Sequence, residues 1–236
     1  MSMKIKCVLF DIGDVLYDAS LQISTARMNA VKAMIEAGLP TDVESAYNKL
    51  QDVVKKCGPD YNRHFDKLLE QLGLKWNPRV IAAGVAAYRE MSSTYLKPYP
   101  DTIPTLLRLR ESGYKIGVVT EGRAVKQWQK LIQLGIQHLF HFMLTSEEVG
   151  AKEMNLELFK TILKQCNVES SRVIFVGNRP DMNITYANNA GLVSVRIRRG
   201  EHKTQEPRSK AATARYDIRK LSEIFNVLER MQKQSS

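Results

Sequence analysis

The chain has 236 residues, 44% of them hydrophobic, and a formal charge of +10 at neutral pH; that is enough for a buried core in one large or two small domains and too apolar for a mainly disordered chain. No apolar run reaches the ~18 residues of a membrane span, and the short apolar stretch near the start is interrupted by Asp11, so neither a span nor a secretory signal is expected. Three widely separated cysteines, Cys7, Cys57 and Cys166, include no C-x-x-C pair, which suggests neither a disulfide framework nor a zinc site and fits a reducing cytoplasm.

In chain order, Lys4-Ile5-Lys6-Cys7-Val8-Leu9-Phe10 reads as a buried strand that runs into the turn Asp11-Ile12-Gly13-Asp14. From about Ser20 to Leu96 the apolar spacing is helical. Thr41-Asp42-Val43-Glu44 predicts a capping box, and Asn77-Pro78 predicts an N-cap followed by an N1 proline. Breaks at Gly38-Leu39-Pro40, Gly58-Pro59 and Gly73 divide this stretch into about four helices. Lys97-Pro98-Tyr99-Pro100 is a stiff return linker, because each proline fixes its own φ and restricts the residue before it.

Beyond the linker, helix and strand alternate. Helices are predicted over 103–110, 124–134, 156–165 and 184–189, with strands over 114–120, 142–145, 172–176 and 193–198 and a last helix over 218–231. This alternation predicts an α/β doubly wound parallel sheet, with ligands bound beyond the carboxyl ends of its strands. The expected domains are a core of 1–18 with 98–236 and an inserted helical cap of 19–97. Four loops should converge at the sheet edge: Asp11 to Leu16, Thr120 to Arg123, Gly150 to Met154 and Gly177 to Asn183.

With these loops in place, the chain resembles the haloacid dehalogenase-like hydrolase superfamily, in particular its archaeal branch, over about Lys4 to Met231; Val125-Lys126-Gln127-Trp128 belongs to the closer likeness. The resemblance implies four motifs. The first is D-x-D after an apolar strand, its leading aspartate a nucleophile that forms an aspartyl-phosphate and its second an acid/base. Asp11 matches the first position and Gly13 stands at the second. The second motif is a Ser or Thr closing a core strand, matched by Thr120, whose hydroxyl is expected to hold a phosphate oxygen. The third is K-P-x-P, whose lysine screens nucleophile from phosphate; here Lys152 is one residue early and Glu153 stands at the lysine position. The fourth is G-D-x-x-x-D, which completes a magnesium site, and both acidic positions are amides, Asn178 and Asn183.

These departures agree with one another: the acid/base is missing, the metal ligands are neutral and the charge clamp is reversed. The expectation is therefore a catalytically inactive binding or regulatory module that needs no cofactor. The charge suggests its partner. Nine basic and three acidic residues lie between Arg196 and Lys220, so Arg196, Arg198, Arg199, Lys203, Arg208 and Lys210 are candidates for binding RNA or an RNA-containing complex. The alternative is a magnesium-dependent phosphohydrolase of a small phosphorylated metabolite that uses Asp11, and a sensor that binds a phosphometabolite without turnover is a third reading.

Overall fold

The computed structural model describes residues 4–59 and 61–233. Its sheet contains β1 (Cys7–Phe10), β2 (Lys115–Thr120), β3 (Phe142–Thr145), β4 (Val173–Gly177), β5 (Val193–Ile197) and β6 (Tyr216–Ile218), ordered β3-β2-β1-β4-β5-β6. Every pairing is parallel. Strands covered on both faces have no solvent side to supply polar alternation, so β1, β4 and β5 are buried along their whole length and β1 reads as an unbroken apolar run. The parallel strands are joined through α5 (Thr102–Glu111), α6 (Ala124–Gln133), α7 (Leu156–Cys166) and α8 (Thr185–Asn189). Leu158, Phe159 and Ile162 of α7 pack on Leu9, Val119 and Phe175 of the sheet.

β1 lies between β2 and β4, with Phe10 opposite Val118 on one side and Val176 on the other. The loops that follow these three strands therefore begin at one level at the carboxyl edge of the sheet. The chain separates into two compact units, one formed by the chain up to Ala19 and from Lys97 onward, the other by Ser20–Leu96. Within the first unit, Tyr17 forms an antiparallel bridge with Pro98, and the Leu16 carbonyl accepts from the Tyr99 N–H (3.0 Å) and the Thr102 hydroxyl (2.7 Å). The second unit contains α2 (Val43–Cys57), α3 (His64–Gln71), α4 (Pro78–Thr94) and all but the first residue of α1 (Ala19–Glu36). Its own core includes Val31, Met34, Leu50, Leu68 and Val80.

Several sequence expectations need correction. Asp42, not Thr41, caps α2, accepting from the Ser45 N–H at 2.8 Å. Asn77 caps α4 as expected, accepting from the N–H groups of Arg79 and Val80. The last helix does not begin at Ile218: Tyr216–Ile218 adds a sixth strand beside β5, and α9 runs from Ile224 to Lys233. Ile218, buried in the sheet, mimics a helical position by its spacing from Leu221. The helix expected over 184–189 is preceded by a wide π-type turn, Pro180–Ile184. Cys7 and Cys166, 159 positions apart, are buried neighbours with sulfurs 3.9 Å apart, and both are free thiols.

Candidate active site

Asp11 is the first residue beyond β1 and is 8% exposed. Its Oδ1 accepts from the Ile12 N–H at 2.7 Å and the Thr120 hydroxyl at 2.8 Å, while Oδ2 accepts from Asn183 Nδ2 at 3.0 Å. Three of the four motif loops thus meet on one carboxylate. Burial, joined by the negative field of Glu121, pushes the Asp11 carboxyl up to about 6, against the opposing pull of its three donors. The group is ionised above that value and is held in one orientation by donors on both oxygens.

Asn183 is fixed in turn by the Arg179 N–H, which donates to its Oδ1 at 3.1 Å. Both ends of this amide are engaged, so Asn183, read from its motif position only as a lost acidic ligand, holds Asp11 in place. A Cβ built on Gly177 would come within 2.7 Å of Asn183 Oδ1 and of a Phe175 ring carbon, so the close packing of Asn183 requires a glycine there. Asn178 is buried, and its Oδ1 has no hydrogen-bond partner. It lies just beyond β4, beside the strand that carries Asp11.

Gly13 offers no proton donor, and its φ is not in the left-handed region. The next residue, Asp14, has φ +56° and is buried. Its carboxyl carbon occupies the space that a side chain on Gly200 would take, 2.1 Å from an ideal Cβ. Asp181 is also turned away from Asp11: Oδ2 accepts from Gln205 Nε2 at 2.9 Å and Oδ1 from the Arg208 N–H at 3.0 Å. Lys152 and Glu153 are both exposed, and their side chains make no hydrogen bond or ion pair with another described residue. The acidic neighbour that acts on Asp11 is Glu121 and not Glu153.

Glu121 and Arg179 were missed by sequence reasoning. They form an ion pair at 2.7 Å, with side chains 39% and 31% exposed. Their only sequence signal is adjacency, each directly following a motif residue, Thr120 or Asn178. The Glu121 loop is itself pinned: its carbonyl accepts from Gln127 Nε2, the Gly122 N–H donates to Ser146 Oγ, and the Ala124 N–H donates to Glu147.

The basic segment does not form one surface. Arg196 lies in an interior strand and is 2% exposed, donating through Nη2 to the carbonyls of His202 and Gln205. Arg198 pairs with Glu206 and Asp217, and Arg208 with Asp181. Arg199 pairs with Asp101 at 2.5 Å, donates to the Val15 carbonyl and lies over the Tyr99 ring. Only Lys203 and Lys210 of the six candidates are exposed without an ion pair to a described residue. Charge clustered in sequence is thus divided here among sheet interior, local ion pairs and solvent.

The family model for haloacid dehalogenase-like hydrolases matches residues 8–197. The chain belongs to the haloacid dehalogenase-like hydrolase family. It is 47% identical over 231 residues to the glyceraldehyde 3-phosphate phosphatase of Methanopyrus kandleri, covering 97% of this chain and 99% of that one. It is 38% identical over 227 residues to the Pyrococcus furiosus protein of the same name, covering 96% and 94%. Among solved structures it resembles a haloacid dehalogenase-like family hydrolase from Xanthomonas campestris, with TM-score 0.72, 15% identity and 98% of each chain covered. At that identity the likeness concerns the fold alone.

These relatives overturn the expectation of a catalytically inactive module. A family chain that matches phosphatases over nearly its full length retains their frame, and the six arginines and lysines cited for a partner are largely used within the fold. No helix among the described residues is long and apolar enough to cross a membrane.

The residues also bear on the magnesium that phosphatases of this family generally use. Among the described residues no group of three or more His, Cys, Asp or Glu could hold a metal. Magnesium often takes only one or two protein carboxylates and completes its shell with water and substrate phosphate. The buried Asn178 oxygen, an acceptor with no donor, together with the Asp11 carboxylate fits that minimal arrangement. Its anionic charge is lower than that of a site with acidic residues at 178 and 183.

Proposed function

We propose that this protein is a phosphatase of a small phosphorylated metabolite, with Asp11 as its nucleophile. Glyceraldehyde 3-phosphate is the substrate to test first, because relatives named for it match 97% of this chain. The observation that carries the proposal is the buried Asp11 carboxylate, fixed by Thr120, Asn183 and the Ile12 N–H at the end of the central strand.

Oδ1 accepts two hydrogen bonds and Oδ2 one, so the freer lone pairs for attack are on Oδ2. As the new bond to phosphorus forms, the ester P–O bond breaks, and the leaving alkoxide takes a proton from water because Gly13 cannot give one. Attack of water on the phosphorus then releases inorganic phosphate and restores the carboxylate. Thr120 and Asn183 keep the carboxylate aligned through both steps, since neither donor needs to move. Magnesium, held by Asp11 and the Asn178 oxygen, would supply charge neutralisation for the phosphate.

The test is phosphate release from glyceraldehyde 3-phosphate and a panel of phosphomonoesters by the purified chain with magnesium. Turnover that falls at least ~100-fold in Asp11→Asn is expected. Absence of turnover across the panel, or full activity in that variant, would refute the assignment.

A further inference from the structure

The family pattern places a cation beside the nucleophile to meet the substrate's phosphate, and Glu153 occupies that position here, exposed and without contact to Asp11. A dianion entering the site nevertheless needs a positive partner. Strand order identifies one. β2 and β4 flank β1, Glu121 follows β2 and the Asn178-Arg179 turn follows β4. The Glu121–Arg179 ion pair, closed at 2.7 Å, therefore spans the carboxyl end of β1, where Asp11 lies. The Arg179 backbone belongs to the same network, through its N–H to Asn183 and from Asn183 to Asp11.

The guanidinium is only partly used by this contact. Nη1 donates to Glu121, whereas Nε and Nη2 make no hydrogen bond to another described residue, and the side chain is 31% exposed. Nε and Nη2 form one edge of the planar group, the fork that matches two oxygens of a phosphate. We propose that Arg179 is the phosphate-binding residue of this site, its Nε–Nη2 edge taking two oxygens of a phosphomonoester dianion while Glu121 holds the opposite nitrogen. The inference rests on the phosphatase reading and names the side chain that recognises the substrate's charged group. Glu121 sets the orientation and also weakens the anion's attraction, because its own charge lies beside it.

The test is calorimetric binding of inorganic phosphate to the full chain in the presence of magnesium, measured independently of turnover. Arg179→Met should weaken phosphate binding by about 10- to 100-fold, the range for losing hydrogen bonds to a charged group. Arg179→Lys keeps the charge and the aliphatic stem without the fork, so it should recover only part of that loss; it also provides a folded comparison if the methionine variant is unstable. Glu121→Gln should tighten binding severalfold, because it removes a like charge and keeps an acceptor for Nη1.

Phosphate affinity within twofold of the parent in both Arg179 variants would overturn the proposal, as would an equal loss in Glu121→Gln and Arg179→Met, which would mark the pair as a structural prop. Failure of the parent chain to bind phosphate would overturn it as well. Arg179-dependent phosphate binding without turnover would sustain this inference and refute the phosphatase reading, so the two can fail separately.

Discussion

Replacing Asp11 by asparagine tests the physical state of its buried carboxyl apart from the chemistry proposed for it. A carboxyl raised from an ordinary 3.8 to about 6 binds its proton more tightly in the folded than in the unfolded chain. Its contribution to stability is therefore greatest below 3.8, is lost as pH rises towards 6, and is constant above that. A shift of that size corresponds to ~3 kcal/mol, of which about 2 kcal/mol falls between pH 4 and pH 7.5.

Asp11→Asn removes this dependence at a local cost. The amide nitrogen, placed at the Oδ2 position, would face Asn183 Nδ2, donor against donor, a mismatch of ~1–3 kcal/mol. The stability difference at a single pH therefore mixes two opposing terms, whereas the change in that difference with pH isolates the first. Urea unfolding followed by circular dichroism at about pH 4 and pH 7.5, in the presence of a chelator because a bound cation would favour the charged form, should show the variant gaining ~2 kcal/mol relative to the parent as pH rises. A pH-independent difference would mean that the carboxyl is not raised and that its burial is relieved by solvent.

Three further outcomes are expected. Asn178→Asp should lower the melting temperature of the metal-free chain, since a second carboxylate would be buried near Asp11, and should enlarge the thermal shift produced by magnesium; an unchanged magnesium response would remove residue 178 from the metal site. Gly13→Asp should raise kcat by at least ~10-fold if leaving-group protonation limits the rate, and an ideal Cβ at 3.3 Å from that of Ala19 requires only a small adjustment there; an unchanged kcat would show that water already suffices. Gly177→Ala should destabilise the fold by ~1–3 kcal/mol and reduce turnover together, because its methyl displaces Asn183 from Asp11, and loss of stability with full activity would contradict the positioning role.

What the sequence revealed and what it concealed divide along local and long-range physics. The apolar run before Asp11, the Asn77-Pro78 cap and the helix-strand alternation are local signals, and each has its counterpart in the structure. Tyr216–Ile218 escaped notice because three residues give too short an alternation, and Ile218 also fits a helical repeat. At the site, position along the chain places Asp11 and Thr120, whereas the role of Asn183 is hidden in its motif because only the folded chain brings its amide to the Asp11 carboxylate. Glu121 has no motif position, since motif register gives a residue's place along a loop and not which carboxylate faces Asp11. Arg196 shows the same limit, because a basic residue in an interior strand counts towards net charge while being closed off from solvent.

The bridge between Tyr17 and Pro98 has a consequence for how such a chain can diversify. The two backbone ends that lead into and out of the helical segment are joined at the core by the bridge and by the Leu16 carbonyl. The core thus closes its own seam, and chain added or lost between those ends need not disturb strand register. Closure entropy grows only slowly with the length of the excursion. Selection can therefore remodel the segment that follows the seam while the carboxylate, its threonine and its amide keep their hydrogen-bonded geometry.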